Sequence, residues 1–210
     1  MDDANMKILK DQPTMAMLAP NHYDCSTERS AFDRLAALAA YGIPDAPREA
    51  SLDAIVQLAA AILEAPMAAI CLVADKRLWF PAELGLGLSQ IPLEESQSAH
   101  VLLQSGIISI PDLASAPSRD GIPFIAAIPG VRFYVGAGLS TPYGTPLGVL
   151  CVLDTKPRPD GINEHQYKAL QTLADQIVGH LERRRLETVL HRTEQQLDTV
   201  FNQVRVGILQ

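Results

Sequence analysis

From Ser26 onward the apolar residues fall into two kinds of spacing. Phe32, Leu35, Ala36 and Ala39 recur at helical intervals, and Gly42 with Pro44 supplies a stop. Leu52, Ile55, Val56, Ala59, Ile62 and Leu63 form the stripe of a second helix, predicted to start with Ser51 as N-cap and to end at Pro66. Met67 to Val73, "MAAICLV", is a continuous apolar run, which suits a buried strand. After a turn at Asp75-Lys76, "RLWFPAEL" predicts a second strand, and Pro81 predicts an edge position for it. Residues 85–96 read as loop from their Gly, Pro and Ser content. A short helix over residues 98–104 then leads into the strand "GIISI", a turn at Pro111-Asp112, and a loop around one helical turn over 119–130.

The segment 131–154 alternates with period 2. Val131, Phe133, Val135, Ala137 and Leu139 occupy one side; Arg132, Tyr134, Gly136, Gly138 and Ser140 occupy the other. With Tyr143-Gly144 as a two-residue turn, Ser140 pairs with Leu147. The glycine face then continues onto Leu147, Val149, Cys151 and Leu153, and the other face onto Gly148, Leu150 and Val152. Both faces of the second strand are apolar, so both must be covered. A thin face between bulky neighbours can receive a closely packed helix or a ligand.

One long helix is predicted from Asn163. Leu170, Leu173 and Ile177 fit a heptad, "ERRRLE" interrupts it, and Leu186, Leu190, Leu197 and Val200 resume it with the phase moved by one residue. A single small sheet cannot bury such a helix along its whole length. Its far half is expected to pair with a second copy of itself, giving a parallel homodimer.

Composition narrows the function classes. With 48% hydrophobic residues a real core is expected, whereas residues 1–25 carry no sustained periodicity and read as a flexible leader. A formal charge of -7 and a pI near 5.2 argue against nucleic acid as a partner. No apolar run approaches the roughly 18 residues that cross a bilayer, and no signal-peptide core is present, so a cytoplasmic location is expected. Cys25, Cys71 and Cys151 do not stand at metal-ligand spacing, and the last two sit in apolar runs as buried thiols usually do. His100 reads either as a ligand contact or acid/base, or as a helix-surface residue. Trp79, the only tryptophan, reads as packing or as part of a site, and Asp154 as the cap of the following turn.

"YGIPDAP" at 41–47, "RLWF" at 77–80 and "VRFYVGAGLSTPYGTPLGVLCVLD" at 131–154, in this order and at this spacing, resemble bacterial GAF domains. They are similar in particular to the sensor modules of histidine kinases and diguanylate cyclases. The tail "LDTVFNQVRVGIL" resembles the opening of a PAS domain. The resemblance implies an α+β fold with a central antiparallel sheet of five or six strands. Terminal helices would lie on one face, and a pocket covered by loops and short helices on the other. It also implies a GAF core over 26–162, a helical coiled-coil linker over 163–200, and a truncated following domain over 201–210. In pocket-bearing relatives such as the phytochromes, the wall corresponding to Tyr134, Gly136, Cys151 and Leu153 lines the cavity. Phe124, Ser98, His100 and Trp79 are the further residues expected around a small ligand.

Two departures matter. The helix that often reads S-F-C-A-H in this subfamily reads Ser96-Gln97-Ser98-Ala99-His100, so the cysteine is replaced by Ser98. Neither a bilin-attachment cysteine nor the cyclic-nucleotide signature is recognisable, which leaves the cofactor unassigned. The implied function is a non-catalytic sensory input module that passes its signal through a dimeric C-terminal helix to downstream domains of the same chain. A ligand-free dimerisation spacer and a free methionine sulfoxide reductase are the alternatives.

Overall fold

The computed structural model describes residues 28–43, 48–75, 77–92, 103, 105–115 and 128–207, and among these the side chains between 31 and 197. Helix α1 spans Glu28–Ala40 and α2 spans Ala50–Ile62. The end of α1 follows from Gly42, whose φ of +62° is natural to glycine and lets the chain fold back so that Ile43 N–H donates to the Leu38 carbonyl. Helix α2 differs from expectation at its start. Glu49, not Ser51, holds the extended N-cap conformation, and it makes no side-chain cap bond. Its carboxylate is drawn instead to His180 and Arg184 of the C-terminal helix, a stronger, charge-assisted set of partners.

Among the described residues six strands follow: β1 Met67–Val73, β2 Arg77–Leu84, β3 Gln90–Pro92, β4 Ile107–Ile110, β5 Phe133–Ser140 and β6 Pro146–Asp154. They form one sheet in the order β3-β2-β1-β6-β5-β4, with every neighbouring pair antiparallel. The strand β1 is buried at all of its positions because it lies beside β6 at the centre and is covered on both faces. Strand β2 is not an edge strand, since the short β3 pairs with it through Arg77, Leu78 and Trp79. Pro81 is accommodated differently: the β1–β2 register shifts between Ile70 and Leu72, and an irregular pairing needs no N–H at that point.

The β5–β6 hairpin keeps the expected register from Phe133↔Asp154 to Leu139↔Gly148, then shifts so that Ser140 meets Pro146. The shift corrects one assignment. Leu147 belongs to the helix-side core rather than to the glycine face. Gly148 marks the crowded point of this seam, because a Cβ there would overlap the Cys71 carbonyl and stand 2.9 Å from the Leu72 Cα. Asp154 caps the next turn as expected, accepting the Lys156 N–H at 3.0 Å.

Helix α3 spans Glu164–Gly207, so the residues expected to open a following domain are helical as far as 207. Asn163 and Gln166 cap its start reciprocally: each side-chain oxygen accepts the other's backbone N–H, at 2.9 and 3.1 Å. Leu170, Ala174, Ile177 and Leu181 bury the first half of α3 in a common core with Val56 of α2 and with Phe133, Val135, Leu150 and Val152 of the sheet. Beyond Leu181 the sheet ends and the apolar positions open to solvent: Leu186 is 59% exposed, Leu190 61% and Leu197 54%.

Candidate functional site

The opposite face of the sheet carries the predicted wall. Side chains alternate along a strand, so Tyr134, Cys151 and Leu153 share one buried cluster with Ala69 and Cys71 of β1 and Leu78 and Phe80 of β2. Gly136 pairs with Cys151, and Tyr134 with Leu153, so the four wall residues form successive rungs of this face, with the helix-facing Val135↔Val152 pair between them. Leu103, Leu113, Ile128 and Val131 cover this cluster from the connecting segments. Segment 111–115 is tied down by Arg132, whose guanidinium donates to both Asp112 carboxylate oxygens at 2.7 and 2.6 Å.

The glycine face is occupied over Gly136. A Cβ there would overlap the Tyr134 hydroxyl oxygen and stand 2.7 Å from Val149 Cγ2. The tyrosine ring therefore lies along its own strand, in the space a larger residue at 136 would need. Burial raises the Tyr134 hydroxyl pKa well above its ordinary value, with the neighbouring Cys151 and Cys71 adding to the effect. Burial likewise pushes Cys71 up, and Cys151 up to about 12. Cys151 Sγ points to the Ala69 carbonyl at 3.4 Å, which opposes its shift without cancelling it. Both thiols are protonated and enclosed at neutral pH, the reverse of a reactive cysteine.

Trp79 does not join this wall. It lies on the helix-packed face, beside Pro81, in a crevice bounded by Leu52, Ile177 and Leu181 with room for about one water molecule, near 10 Å3. The alternation places Leu78 and Phe80 on the wall side and turns Trp79 away. Phe124, Ser98 and His100 lie outside the described residues. Among the described residues no group of three or more His, Cys, Asp or Glu is arranged to hold a metal ion, and no helix is long and apolar enough to cross a membrane.

Sequence reasoning missed a second polar cluster. Tyr41, Glu49, His180, Glu182, Arg184 and Arg185 come together where α3 leaves the sheet. The sign of it was present in "ERRRLE", a dense run of charge at the point where the apolar phase slips.

The fold agrees with known proteins. A family model for the GAF domain matches residues 47–181. Over 104 residues, 50% of the chain, the sequence is 36% identical to a cyclic di-GMP phosphodiesterase of Pseudomonas aeruginosa, and it spans only 18% of that protein's length. The fold is similar to the GAF domain of a phosphoenolpyruvate-protein phosphotransferase from Coxiella burnetii, with a TM-score of 0.55, 17% identity, and coverage of 76% of this chain and 98% of that one. It is also similar to the free methionine-R-sulfoxide reductase of Neisseria meningitidis, with a TM-score of 0.53, 17% identity, and coverage of 77% and 95%. Likenesses at such identity carry the fold alone, and one fold serves several functions. The family match extends over well more than half of the sequence, and the chain belongs to the GAF domain family.

Proposed function

We propose that this chain is the sensory input module of a cytoplasmic bacterial signalling protein, with α3 as its output element. The observation that carries this reading is the change along α3. The helix is anchored in the core as far as Leu181, and past that point Leu186, Leu190 and Leu197 are exposed at heptad-compatible spacing. A second copy of α3 in parallel would cover that stripe and bring two downstream domains together. The resemblance of segments 41–154 to sensor modules suggests a histidine kinase or diguanylate cyclase as output, while the likeness to a cyclic di-GMP phosphodiesterase favours cyclic-dinucleotide chemistry. A small molecule held against Tyr134, Gly136, Cys151 and Leu153, entering as the Tyr134 ring swings off Gly136, is the proposed input.

Two measurements test this. Native mass spectrometry of freshly purified protein should reveal a retained small molecule that is lost on denaturation. Light scattering should give a dimer for the wild type and a shift toward monomer for Leu190→Gln/Leu197→Gln. A monomeric wild type without a retained molecule would overturn the reading.

A ligand-free dimerisation spacer is favoured by one observation, the Tyr134 ring filling the space over Gly136. On that reading the dimer forms and nothing is retained. The reductase alternative needs an accessible thiolate, and the enclosed, protonated Cys71 and Cys151 weigh against it.

A further inference from the structure

Where α3 leaves the sheet, a single stretch of it is gripped from two sides. Glu49, at the N-cap of α2, meets His180 Nε2 at 2.6 Å with one carboxylate oxygen and the Arg184 guanidinium with the other. Arg184 also donates to the Gly42 carbonyl, just past α1, at 3.3 Å. Next to it, Glu182 accepts the Tyr41 hydroxyl on one oxygen and Arg185 Nε on the other, the latter at 3.0 Å. Burial, followed by the bond to Glu182 and the charge on it, raises the Tyr41 pKa well above its ordinary value, so the hydroxyl stays a donor. The end of α1 and the start of α2 thus both close on His180 to Arg185.

We propose that this charged collar, centred on Glu49, sets where and in which direction α3 leaves the domain, so that a polar contact rather than the apolar core controls the outgoing helix. Three observations support it. The collar stands at the boundary between the last buried apolar anchor, Leu181, and the first exposed one, Leu186. Its side chains are sheltered but not sealed: His180 is 13% exposed, Glu49 27% and Arg184 28%. Such groups attract one another more strongly than surface pairs, yet they stay sensitive to salt. Finally, apolar contacts are non-directional and let a helix slide or turn, whereas a carboxylate shared between an imidazole and a guanidinium fixes one geometry. The inference deepens the sensory reading, since it takes α3 as the output element.

Trp79 offers a built-in probe, because it lines the crevice beside Glu49, Leu181 and Arg184 and is the only tryptophan. Hydrogen exchange by mass spectrometry on the full chain should compare wild type with Glu49→Gln, and independently with Arg184→Gln. In both variants the amides of 178–186 are expected to exchange about tenfold faster as that turn opens locally, with those of β6 and of the first turns of α3 unchanged. Acrylamide quenching of Trp79 should rise in parallel. Raising salt from about 0.05 M to about 1 M should reproduce the effect in wild type and add little in the variants. Exchange at 178–186 within about twofold of wild type would overturn the proposal, as would a uniform acceleration of the whole domain, which marks a merely structural role. None of these readouts needs a ligand or a dimer. The collar can therefore fail while the sensory reading stands, and a monomer with nothing retained can sink the sensory reading while the collar stands.

Discussion

On the helix face of the sheet, Phe133, Val135, Leu150 and Val152 are covered by Val56, Leu170 and Ile177, side chains that arrive from α2 and α3. On the other face, the space over Gly136 is taken by Tyr134 of the same strand. Both faces are almost fully buried along β5 and β6, so exposure does not separate them. What differs is the source of the filling. A helix face is filled by long-range packing and loses stability when any one apolar residue shrinks. A face filled from its own strand depends on a glycine that must stay small. Glycine on such a strand is therefore no sign of an empty cavity, because it can serve the ring two residues away.

The largest effect is expected at the seam shared by both faces. Gly148→Ala would drive a Cβ into the Cys71 carbonyl, and backbone cannot swing aside as a side chain can, so strands β1 and β6 must part. A loss of about 3 kcal/mol or more in denaturant unfolding is expected, at or beyond the upper end of overpacking costs. A loss under about 1 kcal/mol would mean the seam is loose.

Gly136→Leu comes next and bears directly on the comparison. With Tyr134 over Gly136 the substitution should cost about 3 kcal/mol. The double variant Tyr134→Ala/Gly136→Leu should then recover about 1 kcal/mol or more relative to the sum of the single changes, since the two positions compete for one space. Strict additivity would show that Tyr134 is not what fills it.

On the helix face, Ile177→Val removes one methylene from a fully buried site and should cost about 1 kcal/mol by thermal or denaturant unfolding. A larger truncation at the exposed Val189, to Ala, should stay within about 0.5 kcal/mol in the monomer. Equal costs would erase the boundary at Leu181.

The smallest effect concerns the point where the two faces meet at the end of β6. Burial alone would push the Asp154 carboxyl up, but the Arg158 guanidinium at 2.8 Å and the backbone N–H groups of Lys156 and Thr155 hold it below its ordinary value. A carboxyl depressed in the folded state contributes stability above the ordinary carboxylate range, about pH 4, and loses it as pH falls through the folded value. Melting temperatures of wild type and Asp154→Asn should therefore differ at neutral pH and converge in acid. A gap that persists at low pH would assign the role of Asp154 to shape rather than charge. Arg158 supports the same corner by donating to the Leu63 carbonyl at 2.5 Å and stacking over Phe133 at 4.8 Å.

The register of the β5–β6 hairpin as far as Leu139↔Gly148, the first two helices and the long α3 were readable from the sequence because each rests on local periodicity. Alternation over Phe133–Ser140 tells the two faces apart, and a run of seven apolar residues in β1 demands cover on both sides. Three features were not readable, each because it depends on residues far apart in the chain. Ser51 has the chemistry of a cap, but Glu49 takes that position because its partners lie 131 and 135 residues downstream in α3. Trp79 is aromatic beside Phe80, and only the β1–β2 pairing turns one to the helices and the other to the opposite wall. The charges of "ERRRLE" look like an interruption until the end of α1 and the start of α2 are brought against them. Local spacing separates the two faces of an element, and the resemblance to GAF domains supplied the fold that joins the elements. What occupies a face is decided case by case: tertiary packing delivers Leu170 and Ile177 from α3 to the helix side, whereas over Gly136 the Tyr134 ring comes from the same strand.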